Sequence, residues 1–254
     1  MRRELGGVAD LLGKQDEPQA EQRRPQRLAA SVIADFVDQI VGGTFPPGTS
    51  LPSEAAMCKH LGVSRTVLRE VLTALEEKGL VEVRNGIGTR TTDPESWKLL
   101  DPIVLRARIA HDENDDFVSH LVRMRMVLEG DMASEAATCA TEEDLEKLKA
   151  QLIELDTAIS GGDVESHFRN DFVFHDIVMR ASGNELAHAV VMAINDEARA
   201  HLHYDRADVA QFRRAFGGHT AVYEALAARD PDRAASAMRD HIEASWRLRI
   251  AEQD

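Results

Sequence analysis

Apolar residues follow a helical repeat along most of the chain, and only one short stretch alternates in the manner of a strand. That stretch, LVEVRNGIGTRT at residues 80–91, alternates around an Asn-Gly pair and is typical of a β-hairpin. From Pro94 onward only helical periodicity is found. The helical segments are predicted at 95–110, 114–139, 142–159, 163–182, 184–204, 206–229 and 231–251. The sequence therefore predicts a mainly α protein that ends in an all-α antiparallel helical bundle.

Three helices are predicted before the hairpin. Residues 28–42 form an amphipathic helix, and Ser53 caps a second one. Gly62 makes a tight turn, and Ser64 caps a third helix that ends near Lys78. A helix, a short glycine-bearing turn and a second helix form the unit that delivers a recognition helix to the major groove of DNA. With the hairpin as a wing, the pattern predicts a winged helix-turn-helix domain.

The third helix has an apolar stripe, and Arg65, Thr66 and Arg69 lie on the opposite side. Two guanidinium groups one turn apart can reach guanine edges or phosphates. A small structural module with a solvated arginine face would show the same pattern. The hairpin that follows favours the DNA-binding interpretation.

The charge of the chain is distributed unevenly. Residues 1–26 carry five basic and five acidic groups, and residues 27–92 carry seven of each. Residues 93–254 carry 18 basic and 32 acidic groups, so the whole net charge of −14 lies there. An acidic domain repels polyanions, so only the N-terminal part is expected to contact nucleic acid.

These boundaries predict a disordered tail at 1–26, a DNA-binding domain at 27–92 and a helical domain at 93–254. No apolar run approaches the ~18 residues of a membrane span, so no membrane association is expected. Cys58 and Cys139 match no paired metal or redox spacing. They are interpreted as small buried thiols in a reducing cytoplasm.

Four polar residues occupy inward positions of three helices in the C-terminal half. Asp171 and His175 stand one turn apart on the apolar face of 163–182. His219 and His241 interrupt the apolar stripes of 206–229 and 231–251. One carboxylate and three imidazoles suit Zn²⁺, or else Ni²⁺ or Mn²⁺. Four separately satisfied core residues would give the same pattern, so both interpretations stay open.

Arg125 interrupts another inner stripe, and a buried guanidinium needs an anion. Its partner is either a bound acid or Glu129, one turn further on, in a structural salt bridge. His167 lies one turn before Asp171 and is interpreted as a substitute metal ligand or as the wall of a pocket.

The segment GTSLPSEAAMCKHLGVSRTVLREVLTALEEKGLVEVRNGIGTR resembles the DNA-binding domain of GntR-superfamily transcription regulators, over residues 27–92. Some members have a DNA-contacting arginine where this chain has Ala55, so the operator sequence of those members cannot be assigned to this chain. The resemblance implies DNA contacts at six positions: Ser64, Arg65, Thr66, Arg69, Asn85 and Gly86.

The helical part resembles the FCD ligand-binding domain of the FadR-type subgroup, over most of 96–250. Asp-x3-His followed by ASGN, and then two further histidines, carry the likeness. It implies metal ligands at Asp171, His175, His219 and His241. The R-x3-E pattern of Arg125 and Glu129 implies an arginine that faces the effector cavity. Arg125, Glu129 and His167 are predicted to bind the effector. The resemblance also implies that members without the metal set can bind acyl-CoA, and the intact set here argues against an acyl-CoA ligand. The segment SWKLLDPIVL further resembles regulators of sugar-acid catabolism.

The sequence thus predicts a cytoplasmic, homodimeric repressor that binds operator DNA and responds to a small carboxylate, such as a sugar acid, on a divalent ion. The alternative is a metal-dependent hydrolase fused to a DNA-binding module. It is disfavoured because the site has more protein ligands than most catalytic zinc sites and no dedicated general base. An architectural DNA-binding protein would leave the buried polar residues unexplained. The protein is therefore not expected to be an enzyme.

Overall fold

The computed structural model describes residues 19–84, 86, 88–201 and 209–250. The chain divides into two compact units, with the division between Lys98 and Leu99. Of the tail predicted at 1–26, residues 1–18 lie outside the described residues, as does Asn85 of the predicted DNA contacts.

The first unit contains three helices, a hairpin and a short 3-10 helix. The described elements are α1 (Gln19–Val41), α2 (Glu54–Leu61), α3 (Arg65–Glu77), β1 (Val81–Arg84), β2 (Gly88–Thr91) and the 3-10 helix Pro94–Ser96. The first helix begins at Gln19, earlier than predicted and inside the segment 1–26 that the sequence assigns to the tail. Most of residues 19–26 are Gln, Glu, Ala or Arg, which favour helix. They carry no apolar stripe, so periodicity does not reveal them.

The predicted helix-turn-helix is formed by α2 and α3. Ser53 and Ser64 cap the two helices, and their side chains accept hydrogen bonds from the backbone of Ala56 and Val67. Gly62 ends α2 in the left-handed conformation, with φ of 67°. The apolar stripe of α3 is buried through Leu68, Val71, Leu72 and Leu75, which leaves the opposite face exposed.

The hairpin is held by its own strand pairing and by the connector FPPGTSLP, residues 45–52, which lies between α1 and α2. Its two strands pair antiparallel, from Val81 opposite Thr91 to Arg84 opposite Gly88. The connector runs along the other edge of β2, where the backbone N–H of Leu51 donates to the carbonyl of Thr89 at 2.9 Å. The hydroxyl of Thr91 donates to the carbonyl of Pro46 at 2.6 Å. The wing is therefore anchored on both sides of its second strand.

The segment after the hairpin belongs to the first unit. Trp97 is buried, and the backbone N–H of Lys98 donates to the carbonyl of Lys78 at 3.0 Å. The division therefore falls six residues beyond the predicted boundary of 92/93. The predicted helix at 95–110 begins only at Pro102, where Asp101 caps it and proline occupies the first turn.

In the part of the second unit that the structure describes, every element is a helix. Its described elements are α4 (Pro102–Ala110), α5 (Asp116–Cys139), α6 (Glu142–Gly161), α7 (Val164–Ser182), α8 (Glu185–His201), α9 (Val209–Ala227) and α10 (Pro231–Ile250). A capping box of Thr141 and Asp144 opens α6, as predicted. Gly183 ends α7 with φ of 76°, in the predicted break between α7 and α8.

Five of these helices share one hydrophobic core, and α4 packs against α8 beside it. Phe174 of α7 is fully buried at the centre of this core, directly before His175 in the chain. The core comprises Ala133, Ala136, Ala137, Leu148, Leu155, Phe174, Val178, Val222, Ala225, Leu226, Ala234, Met238 and Ile242.

Among the described residues no helix is both long enough and apolar enough to cross a membrane.

The two cysteines are less buried than predicted. Cys139 is the last residue of α5 and is exposed, and Cys58 in α2 is half-buried. A side chain in the last turn of a helix, next to the turn that leads into α6, remains open to solvent. The expectation of two buried thiols was therefore wrong.

Gly79 is expected to be indispensable for the stability of the first unit. Its φ is +76°, and an added Cβ would lie 2.0 Å from the carbonyl oxygen of Ser96. Gly43 offers a matched control, because its φ is +80° and nothing lies within 4 Å of its Cβ position. Gly43→Ala should lower the free energy of unfolding by about 1–2 kcal/mol, because only the left-handed backbone conformation disfavours the added methyl group. Gly79→Ala should lower the free energy of unfolding, measured by urea titration, by clearly more than this. Equal losses in the two variants would contradict the close contact between Gly79 and Ser96.

Candidate metal centre and nucleic-acid interface

Three helices bring the four predicted metal-ligand residues together. Asp171 and His175 come from α7, His219 from α9 and His241 from α10. Each offers one donor atom, and these atoms all lie within 4.8 Å of one another. The three histidines are buried, whereas the side chain of Asp171 is 32% exposed. The cluster therefore reaches solvent on the side of Asp171.

The donor atoms approach in two close pairs. The Nε2 atoms of His175 and His241 are 3.1 Å apart. Nε2 of His219 lies 2.9 Å from Oδ1 of Asp171, but the two atoms are not aligned as a hydrogen bond. The rings of His219 and His241 are also close, with centroids 4.1 Å apart. Ligand atoms of a common ion approach one another in this way.

Several of the buried nitrogens make no hydrogen bond, although Nε2 of His219 lies within ion-pair distance of Asp171. Among the residues that the structure describes, both ring nitrogens of His219 and Nδ1 of His241 make no hydrogen bond. A buried polar atom without a partner is costly, so a satisfied polar core does not account for them. Imidazole nitrogens with one carboxylate oxygen are a donor set that suits a first-row divalent cation. The residues therefore fit the metal that the sequence predicts.

The pKa shifts in the cluster differ in direction. Burial would lower the pKa of His175, but the carboxylate of Glu129 outweighs burial and raises the pKa above its usual value. Burial and the adjacent imidazoles of His219 and His175 hold the pKa of His241 well below its usual value, so its ring is neutral. Burial alone would raise the pKa of Asp171. Its contact with His219 and the neighbouring imidazole charges outweigh burial, and the pKa lies below the usual range. An ionised carboxylate and a neutral imidazole are the forms that bind a metal, so Asp171 and His241 are ready to bind, whereas a protonated His175 would release its proton on binding.

Glu129 forms a second layer behind His175. Its Oε2 lies 2.6 Å from Nδ1 of His175, and its Oε1 accepts a hydrogen bond from Nε of Arg125 at 2.6 Å. The carboxylate is fully buried. Burial would raise its pKa, but the charges of Arg125 and His175 outweigh burial and lower the pKa to about 2. Glu129 is thus an ionised group between a cation and a candidate ligand.

The structural salt bridge considered from the sequence is present, since Arg125 pairs with Glu129. The side chain of Arg125 keeps 27% of its surface exposed. An effector contact of Arg125 stays a prediction.

His167 lies beside the cluster. It is buried, and its ring centroid is 4.0 Å from that of Phe212. The four atoms within 4.8 Å of one another do not include a nitrogen of His167. Its Nδ1 has no hydrogen-bond partner among the described residues. This placement favours a pocket wall over a substitute ligand.

The predicted DNA contacts of α3 lie on its exposed face. Arg65, Thr66 and Arg69 are exposed, whereas the hydroxyl of Ser64 accepts a hydrogen bond from the backbone of the helix. Nε of Arg69 lies 3.4 Å from a carboxylate oxygen of Glu54 in α2. Gly86 is exposed at the tip of the hairpin with φ of +78°. The first turn of α3 and the wing tip therefore offer the surfaces that a duplex requires.

Gly218 is a site residue that sequence reasoning missed. A Cβ at this position would lie 2.5 Å from Nδ1 of His241, so the missing side chain lets α9 approach the ring. The sequence contains a signal for it, because a Gly-Gly pair lowers the stability of a helix and indicates that close packing excludes a side chain there.

Gly218→Ala should therefore displace His241 and weaken binding of divalent metal. Gly217→Ala is the matched control, because it adds the same methyl group one residue earlier with nothing within 4 Å. In a helix interior that control should gain about 0.5–1 kcal/mol of stability and leave metal binding unchanged. Elemental analysis and Zn²⁺ titration of both variants test the expectation. Equal metal affinity in the two variants would contradict the close contact with His241.

Two family models match the chain in the order of its two units. Residues 28–90 match the bacterial regulatory proteins of the gntR family, and residues 120–244 match the FCD domain. The first match covers the described helix-turn-helix and hairpin. The second contains all four residues of the candidate metal centre.

Relatives extend the match over most of the chain. The transcriptional regulator LutR of Bacillus subtilis is 31% identical over 208 residues, which cover 80% of this chain and 92% of that protein. The galactonate operon transcriptional repressor of Escherichia coli is 29% identical over 217 residues, covering 85% and 94%. The solved structure of E. coli McbR/YncC, 18% identical, aligns over 89% of this chain and 99% of that chain with a TM-score of 0.51, and supports the fold.

The predicted fold class is confirmed by these matches and by the described elements. The matched families and relatives are transcription regulators, so the prediction of a regulator is confirmed and the alternative of a fused hydrolase is contradicted. The chain belongs to the GntR family of bacterial regulatory proteins and carries an FCD domain in its second unit.

Proposed function

We propose that this protein is a cytoplasmic transcriptional repressor whose affinity for operator DNA is controlled by a small organic acid. The acid binds at a divalent ion in the FCD domain. The observation that carries this proposal is the convergence of four donor atoms from three helices within 4.8 Å. Unpartnered buried nitrogens in the same cluster support a metal rather than a satisfied polar core.

Asp171, His175, His219 and His241 would hold the ion. Zn²⁺ suits three imidazoles and one carboxylate, and Ni²⁺ or Mn²⁺ are the alternatives. A bound ion supplies a Lewis-acidic centre on which a carboxylate can be held. Because the ligands come from three helices, the ion would also cross-link the helical unit and stabilise it.

Charge explains why the pocket needs a cationic centre. The region from residue 93 onward carries 18 basic and 32 acidic groups, so an organic acid enters only where positive charge is concentrated. The ion would supply that charge, and Arg125, whose side chain is partly exposed beside its ion pair with Glu129, would offer a second contact for an anion. Buried His167 and Phe212 would form part of the wall.

A sugar acid is the effector class that we favour. The alignment with the galactonate operon transcriptional repressor covers 85% of this chain, and the galactonate in that protein's name is a sugar acid. A polyhydroxy acid offers a carboxylate for the ion and hydroxyl groups for neighbouring polar atoms.

Operator binding would use the exposed face of α3 and the wing. A homodimer would place two copies of α3 on the two halves of an operator. Effector binding would change the packing of the helical unit and thereby the operator affinity. A coupling of about 1–3 kcal/mol changes operator occupancy from several-fold to a hundredfold.

Arg65→Ala and Arg69→Ala should each weaken specific DNA binding without loss of fold. A bidentate base contact contributes about 1–3 kcal/mol, and a two-fold dimer loses it twice. Affinity would be measured on a duplex selected by the wild-type protein from a random pool. Arg233→Ala, which removes one exposed arginine in the second unit, is the control for charge. Unchanged affinity in both α3 variants would remove the assignment of the recognition helix.

The effector is tested by titrating the complex of metal-loaded protein and selected duplex with sugar acids. A sugar acid should release wild-type protein, and Arg125→Ala and His241→Ala should lose the response. His120→Ala removes an exposed histidine of α5 and should respond like wild type. Chelation should lower the melting temperature and abolish the response in parallel. An acid that acts undiminished on both site variants would show that the pocket lies elsewhere.

A further inference from the structure

Glu129 connects two groups that sequence reasoning treated separately. One carboxylate oxygen lies 2.6 Å from Nδ1 of His175, and the other lies 2.6 Å from Nε of Arg125. The side chain is fully buried. Each oxygen is thus engaged by a short contact with one of two partners. An effector contact of Glu129 stays a prediction.

The contact with His175 decides which nitrogen of that ring is available. A neutral imidazole carries one proton, and the hydrogen bond made by one nitrogen fixes the role of the other. When the N–H at Nδ1 of His175 donates a hydrogen bond to the carboxylate of Glu129, the lone pair of the neutral ring is at Nε2. Nε2 is the nitrogen that lies 3.1 Å from Nε2 of His241, inside the cluster. In that tautomer, the contact with Glu129 would hold His175 in the orientation that a metal ligand requires.

We propose that Glu129 is a positioning residue for the metal ligand His175. The inference rests on the proposed metal site, but not on the identity of the effector. A carboxylate on the far nitrogen also increases the basicity of the ligating nitrogen, and loss of such a partner commonly costs 10–100-fold in metal affinity. The competing explanation is that Glu129 only neutralises Arg125. In that case it would affect stability and leave metal binding unchanged.

Glu129→Gln tests the proposal because it keeps the shape of the side chain and removes its charge. The amide places a donor where one carboxylate oxygen was, and it is a weaker acceptor than the carboxylate. Zn²⁺ affinity, measured by competition with a chromophoric chelator, should fall by about 10–100-fold. Glu135→Gln is the matched control, since it makes the same charge change on the same helix. Glu135 contacts Asn184 instead of the cluster, and that variant should bind Zn²⁺ like wild type.

Arg125→Met separates the two roles of the carboxylate. It removes the ion pair but leaves the contact between Glu129 and His175. The proposal expects this variant to bind Zn²⁺ more tightly than Glu129→Gln does. If Glu129 acted only as the counter-charge of Arg125, the two variants would instead lose metal affinity equally, or not at all.

Nitrogen-15 NMR of histidine-labelled protein gives a readout that does not depend on how the Glu129 variant folds. In Zn²⁺-loaded wild-type protein, His175, assigned with His175→Gln, should carry its proton on Nδ1. Coordination through Nδ1 would overturn the inference. So would a Zn²⁺ affinity of Glu129→Gln within about threefold of wild type, well short of the expected loss. A wild-type protein that binds no divalent ion would instead overturn the proposed metal site itself.

Discussion

The second unit depends on the burial of polar side chains in the middle of an apolar core. His175 follows the fully buried Phe174, and the ring of His219 meets that phenylalanine edge-on at 4.8 Å. Burying an imidazole in such surroundings is unfavourable unless its nitrogens find partners. His175 of α7 contacts Glu129 of α5 and His241 of α10, and His219 of α9 lies beside Asp171 of α7, so these four helices meet at one place. The same requirement explains Gly218, which lets α9 approach His241 closely.

The first unit follows a different constraint, because its function needs one face of α3 to remain free. Leu68 and Leu75 are fully buried, and the arginines that point the other way are exposed. The wing is fixed by backbone pairing of β2 with both β1 and the connector, as in the bond from Leu51 to Thr89. A rigid scaffold of this kind presents exposed side chains to DNA at a constant spacing. The close approach of Gly79 to Ser96 attaches the following segment to this scaffold.

Much of the local structure could be predicted from single residues with strong conformational preferences. Ser64 and the pair of Thr141 and Asp144 begin helices where the sequence predicts them. Element ends without such residues were less predictable, as the early start of α1 at Gln19 illustrates. Helix propensity there acts without an apolar stripe, and burial patterns detect only the residues that face a core. Trp97 shows the same limit, since its burial against the first unit depends on contacts distant in sequence.

By itself the sequence determined the helical periodicity, the capped ends and the polar residues on inward faces, because these features depend on neighbours within about one turn. It also raised the ambiguity of Arg125, which can pair with Glu129 or with a bound acid. Only the tertiary structure decided that Glu129 reaches both Arg125 and His175. His175 and His241 are far apart in sequence, and packing alone brings their Nε2 atoms within 3.1 Å. Local preferences choose the helices, whereas the distance between two side chains is set by how complete helices pack.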